Sequence, residues 1–166
     1  MQITDLSSKY TVRKLSDGDI AQILKLCKPN EAFYRYCPPE PGEKEIRDDM
    51  TALPPHTKPE DKYYVGFFDG ENLAAVMDLI LHYPDEKSAF IGFFMLDIGL
   101  QGRGEGTAVI SELAANLKKQ GFTAIRLGWI EGNRQAENFW RKNGFTETGA
   151  KTAAGDYTII TAERSI

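Results

Sequence analysis

The chain has 166 residues, of which 42% are hydrophobic and 27% charged, and a formal net charge of −4. That balance suits one domain over residues 1–166 with a core of its own. The negative charge and the absence of a Lys/Arg cluster argue against nucleic acid as a partner. No apolar run is long enough to span a membrane, and the first residues lack the basic and apolar regions of a secretory signal, so a cytoplasmic protein is expected.

Residues 10–15 alternate apolar and polar and read as a first strand. Ser16 or Asp17 then offers a helix cap ahead of Ile20, Ile23, Leu24 and Leu26, a helical stripe that Pro29 ends. Residues 29–59 are rich in proline, cluster Phe33, Tyr34 and Tyr36, and hold one short helix over 43–53. A long irregular stretch of this kind in a compact chain marks a functional wall or lid, so it is the expected specificity region. Cys27 and Cys37 are the only cysteines and have no Cys-x-x-Cys spacing or His cluster beside them, which argues against a zinc site or a disulfide framework.

Residues 62–68 and 73–83 read as two strands joined at Asp69-Gly70, and residues 84–87 turn the chain into a third strand over 89–97. An antiparallel meander is expected. Next come Gln101-Gly102-Arg103-Gly104-Glu105-Gly106 and a helix to Gln120, with Val109, Ile110, Leu113, Ala114 and Leu117 on one face. The glycines let the backbone take positive φ and let a ligand approach closely. The helix start supplies unpaired N–H groups and the positive end of a dipole, which together suit phosphate. No Gly-Lys-Ser/Thr follows at P-loop spacing, and the glycines are not spaced as in a dinucleotide-binding turn, so a different diphosphate is expected.

A strand over 123–129 follows the helix, and its pairing with the strand over 89–97 should be parallel through the crossover. Asn133 then caps a short helix with Ala136, Phe139 and Trp140 on its apolar stripe, stopped at Gly144. A last hairpin, 147–151 with 156–162, turns at Ala154-Gly155.

Two of these stretches together resemble the GNAT (Gcn5-related N-acetyltransferase) superfamily. Gln101-x-x-Gly104-x-Gly106 is similar to its Gln/Arg-x-x-Gly-x-Gly/Ala loop, and Asn133-x-x-Ala136-x-x-Phe139-Trp140-x-Lys142-x-Gly144-Phe145 to its second motif. The resemblance implies an α/β fold: a mostly antiparallel mixed sheet with one splayed parallel pair, flanked by helices. It also implies an acetyl-CoA-dependent N-acetyltransferase acting on a primary amine of a small molecule or peptide. The chain's aromatics and final hairpin leave room for a homodimer without requiring one.

The same resemblance implies that Gln101, Gly102, Arg103, Gly104, Glu105, Gly106 and Thr107 hold the pyrophosphate, while the pantetheine arm lies along the strand edge at Leu96 and Ile98. A backbone N–H at Leu96 or Asp97 would polarise the thioester carbonyl. Asn133 would sit beside the pantetheine, and Phe139 and Trp140 would line the acetyl end. Trp140 stands where the family often has a Tyr proton donor, and an indole N–H is too weak an acid for that role. Tyr157 is one alternative donor. A non-catalytic acyl-CoA-binding sensor or scaffold is the competing reading. Asp97, Asp78, His82 and Glu131 are candidate bases, with Asp97 preferred for its place beside the cofactor strand.

Overall fold

The computed structural model describes residues 2–166. Among these, seven strands form one sheet in the order β1-β2-β3-β4-β5-β7-β6. In chain order the strands are β1 (Thr11–Lys14), β2 (Lys62–Asp69), β3 (Asn72–Leu81), β4 (Ser88–Leu96), β5 (Ala124–Ile130), β6 (Thr146–Ala154) and β7 (Tyr157–Ser165). The helices are α1 (Ile20–Cys27), α2 (Glu31–Tyr34), α3 (Glu43–Thr51), α4 (Glu105–Lys119) and α5 (Arg134–Lys142). Strands β1 to β4 make the antiparallel meander. Among the described residues β4 and β5 are the one parallel pair, as the crossover through α4 requires.

The inner strands are buried on both faces, which is why they read as near-continuous apolar runs. One face packs Val65, Phe67, Met77, Leu79 and Ile91 against Val109, Ile110, Leu113 and Leu117 of α4, with Trp140 and Phe145 at one end. The other face packs Tyr64, Phe68, Val76 and Met95 against Ile20, Ile23 and Leu26 of α1 and Ile46 of α3. Helix α1 and the helices of the proline-rich stretch thus cover one face, and the glycine-loop helix covers the other.

Two local departures shape the molecule. Asp78 pairs with Phe93 and Leu79 pairs with Ile91, so Gly92 is the extra residue of a bulge in β4. Pairing between β4 and β5 runs only from Ser88↔Ala124 to Ile91↔Leu127. Beyond Ile91 the two strands part, and β5 continues with β7 alone. The result is a cleft that is closed at Ile91 and open toward Leu96.

Several elements differ from the sequence reading. The stretch expected as a lid contains an additional four-residue helix, α2, whose length is too short to produce a periodic signal. Helix α3 stops at Thr51, ahead of Pro54, because the prolines that follow cannot continue it. The last hairpin is longer than 147–151 with 156–162 and turns at Gly155-Asp156. Its outer strand, β6, is exposed along nearly its whole length and carries no apolar alternation to mark its ends.

Candidate active site

A cavity of about 430 Å³ opens into the cleft between β4 and β5. Its walls come from the end of β4, the glycine loop, α5 and the junction of α1 with α2. Of the residues singled out in the sequence, Leu96, Ile98, Gln101, Gly102, Gly104, Gly106, Thr107, Asn133, Phe139 and Trp140 all line it.

The glycines of the loop have two different jobs. Gly102 and Gly104 have φ of +73° and +85°, a region that disfavours side chains, and a Cβ on either would meet no atom within 4 Å. They leave an open floor in front of α4, whose first-turn N–H groups have no carbonyl to bond within the helix. Gly106 is inside that first turn, where a Cβ would lie 3.0 Å from Phe139 Cε2. It lets α5 pack closely against α4. An open backbone floor at a helix start fits a diphosphate, and the residues present therefore suit the phosphate end of a coenzyme A thioester.

The far wall is aromatic. Phe94 stacks on Phe139 with centroids 6.0 Å apart, and Trp140 packs edge-on against both Phe139 and Phe145. The Asn133 side chain is buried and accepts a hydrogen bond from the Ala136 N–H at 3.1 Å, which caps α5 and fixes its start at the cavity.

At the end of β4, the Asp97 N–H donates to the Ala74 carbonyl at 2.8 Å. The alternation of the strand therefore turns the N–H and C=O of Leu96 away from β3 and into the cleft. Of the two backbone donors considered for the thioester carbonyl, the Leu96 N–H faces the cleft and the Asp97 N–H is taken. The Leu96 carbonyl accepts from Gln101 Nε2 at 3.0 Å and from Asn30 Nδ2 at 3.4 Å, and Gln101 Nε2 also donates to Asn30 Oδ1 at 2.6 Å. Asn30 is buried, and it ties the start of α2 to the end of β4.

Three of the expected site residues lie outside the cavity. The Asp97 carboxylate accepts from the Gly99 N–H at 2.8 Å, capping the turn at Ile98–Leu100, and it faces a separate depression beside Gln22, Lys25 and Asn72. This corrects its preferred place as the base. Glu105 points back to Lys9 and Tyr10, and these two hydrogen bonds hold its carboxyl below the ordinary glutamate range. Arg103 is exposed on the rim.

The other base and acid candidates also separate. His82 sits at the far end of β3, bonded to the Glu86 carbonyl and stacked near Phe122. Glu131 is paired with Lys151 at 2.6 Å on the surface, and Tyr157 opens β7 outside the cavity lining. Asp78 is buried on β3. The sequence reading missed Asn30, Phe94, Met95, Gln135 and Lys142 as lining residues; among them Asn30, next to a helix-ending proline, and Lys142, a position of the second motif, carried a local signal.

A mixed sheet split at one parallel pair, with a glycine loop and helix start at the mouth of the split, is the architecture of acyl-CoA-dependent N-acyltransferases. The chain belongs to the Acetyltransferase (GNAT) family, whose family model matches residues 19–145. Among solved structures it is similar to an acetyltransferase from Thermus thermophilus, at 19% identity and TM-score 0.73, covering 93% of this chain and 96% of that one. It is also similar to the PaiA N-acetyltransferase from Thermoplasma acidophilum in complex with coenzyme A, at 18% identity and TM-score 0.65, covering 93% and 98%. A third is the ribosomal-protein-S18-alanine N-acetyltransferase from Escherichia coli, at 18% identity and TM-score 0.65, covering 94% and 93%. At these identities the likeness concerns the fold. A comparison with curated proteins returns no match.

Proposed function

We propose that the chain is an acetyl-CoA-dependent N-acetyltransferase that moves an acetyl group to a primary amine of a small molecule or peptide by direct attack. The observation that carries this reading is the open floor at Gly102 and Gly104, set before α4 at the mouth of a cleft whose one edge is the free side of β4. The first-turn N–H groups of α4, on Glu105, Gly106 and Thr107, bind the diphosphate. The cleft-facing N–H of Leu96, on the free edge of β4, receives the pantetheine arm as an added strand. A cleft-facing N–H on the free edge of β4 stabilises the charge that grows on the thioester oxygen as the amine adds. Phe94, Phe139 and Trp140 keep water from the acyl end.

Bound there, acetyl-CoA supplies an acyl group already activated as a thioester. Phe33, on the lid and lining the cavity, and the aromatic face beside it receive the acceptor. Asp97 serves to cap the loop and carries no proton in this scheme. The buried Trp140 favours a second reading, an acyl-CoA-binding sensor without turnover, since no tyrosine among the described residues lines the cavity to protonate the thiolate.

The two readings part in a thiol-release assay with acetyl-CoA and a panel of polyamines, amino acids, aminoglycosides and peptides. Release above the amine-free rate with at least one class is the expected result. Tight binding of acetyl-CoA with no release from any class would establish the sensor instead.

A further inference from the structure

We propose that Asp78 is the catalytic base for the acceptor amine, a carboxylate carried on β3 and presented over a glycine bulge of β4 at the apex of the cleft. The assignment rests on the transfer reading given above.

Asp78 occupies the middle of a strand whose neighbours Met77 and Leu79 are fully buried, a position where an apolar side chain would ordinarily serve better. Its two oxygens accept from Lys62 Nζ at 2.8 and 2.9 Å. What sets it apart from a plain structural ion pair is the residue beside it. Gly92 on β4 has no positive φ that would call for glycine. A Cβ there would lie 2.7 Å from Asp78 Oδ2 and 3.3 Å from its Cγ. The Asp78 carboxylate thus fills the space that a side chain at 92 would take. Gly92 itself is exposed, and the Asp78 side chain keeps 12% of its surface accessible.

That opening is at the right place along the cleft. β4 and β5 are joined up to Ile91↔Leu127 and part from Gly92 onward. An arm anchored at the glycine loop and laid back along the free edge of β4 ends toward this closed apex, where Asp78 stands. Phe93, next to Gly92, meets Phe33 edge-on with centroids 5.8 Å apart, and Phe33 lines the cavity. One aromatic wall therefore runs from the cavity to the carboxylate.

The charged and titratable groups around Asp78 are Lys62 and Tyr64 on β2 and Asp49 on α3. Tyr34, Cys27 and Cys37 lie behind them, against Tyr64 and Asp49. One ammonium faces two carboxyl groups, a set that suits the approach of a cationic amine. Burial pushes the Asp78 carboxyl up, against the opposing pull of Lys62, and so makes it a better proton acceptor than an exposed aspartate.

In the reaction the acceptor ammonium gives one proton to Asp78, and its freed lone pair attacks the thioester carbon. The C–N bond forms and the C–S bond breaks. The second nitrogen proton passes to the departing CoA thiolate, and Asp78 returns its own to solvent. An ammonium and a thioester thereby yield an amide, a thiol and one proton.

The test compares wild type, Asp78→Asn, the double variant Lys62→Met/Asp78→Asn and Gly92→Ala, each assayed with acetyl-CoA and the best amine of the panel. The double variant removes the ion pair without leaving an orphan charge, so folding is retained. We expect kcat to fall about a hundred-fold or more in Asp78→Asn and in the double variant. The acid limb of the wild-type kcat/KM profile should disappear in both, and the Kd for acetyl-CoA measured by calorimetry should not change. Gly92→Ala, which displaces the carboxylate while keeping it, should also lose kcat with acetyl-CoA affinity intact. Wild-type turnover that survives in Asp78→Asn with the same acid limb would overturn the assignment alone and leave the pair a structural one. A wild type silent with every amine would overturn the transfer reading and this assignment together.

Discussion

Replacing Gly104 with Ala puts a methyl group on the floor of the glycine loop, where φ is +85° and no atom lies within 4 Å of the added carbon. The fold takes on only backbone strain, a cost of about 1 to 2 kcal/mol for a side chain in the left-handed region. In a domain of this size each kcal/mol lowers Tm by about 2 to 4 °C. Binding suffers more, because the methyl occupies the space from which phosphate oxygens reach the first-turn N–H groups of α4. Losing one or two charge-assisted hydrogen bonds of about 1.5 to 3 kcal/mol each weakens acetyl-CoA by roughly a hundred-fold. At acetyl-CoA one hundred times the wild-type Kd, the wild type gains about 2.7 kcal/mol of stability, whereas a variant bound a hundred-fold more weakly gains only about 0.4. Thermal melts with and without acetyl-CoA measure both quantities. Gly149→Ala is the control: it has φ of +87° and equally open surroundings, but it lies on the outer strand β6. Both variants should melt slightly lower without ligand, and only Gly104→Ala should lose the ligand-induced rise. Equal rises in the two would refute the phosphate role of the loop.

Gly66→Ala should destabilise by about 1 to 3 kcal/mol through overpacking, since its Cβ would fall 2.7 Å from Phe68 Cε2 and 2.8 Å from both Leu15 Cδ2 and Leu73 Cδ1; denaturant titration measures it. Leu113→Ala empties a fully buried site where α4 meets the sheet, and a loss of about 2 to 5 kcal/mol in the same titration is expected. Asp19 has its carboxyl lowered to about 2, first by the Arg13 hydrogen bonds and then, against burial, by Ser16. A carboxyl lowered on folding stabilises the protein above its unfolded value and loses that contribution as pH falls through the folded one. Asp19→Asn should therefore cost about 1.5 to 2 kcal/mol at neutral pH, allowing for the half-exposed Arg13, and the difference from wild type should vanish between about pH 4 and pH 2. Phe33→Ala should raise KM for the acceptor amine several-fold and leave KM for acetyl-CoA unchanged, if the lid segment sets acceptor choice.

What was legible in the sequence was local. The loop at Gln101 to Gly106 and the cap at Asn133 carry their signals within a few residues of each other, and the structure sets both beside one cavity. The meander and the crossover followed from apolar runs, the Asp69-Gly70 turn signal, one residue ahead of the observed turn at Gly70-Glu71, and the helix between two strands. The parts that were not legible depend on contacts between distant positions. The Gln101 to Asn30 hydrogen bond joins residues 71 positions apart. The role of Gly92 depends on the pairing register of β3 with β4, and a glycine in an apolar run gives no hint of which side chain from the next strand will use its space. Asp97 shows the reverse error. It does follow the end of β4, but a carboxylate two residues before a free N–H makes a local turn cap, and that geometry turns it away from the cavity.

Single-turnover transfer from acetyl-labelled acetyl-CoA, followed by mass spectrometry of both the amine and the intact protein, tests the central claim most directly. The account predicts label on the acceptor nitrogen, free CoA in equal amount and none on the protein at any time. Label that stays in the thioester with every amine, or that appears first on a side chain of the protein, would contradict it.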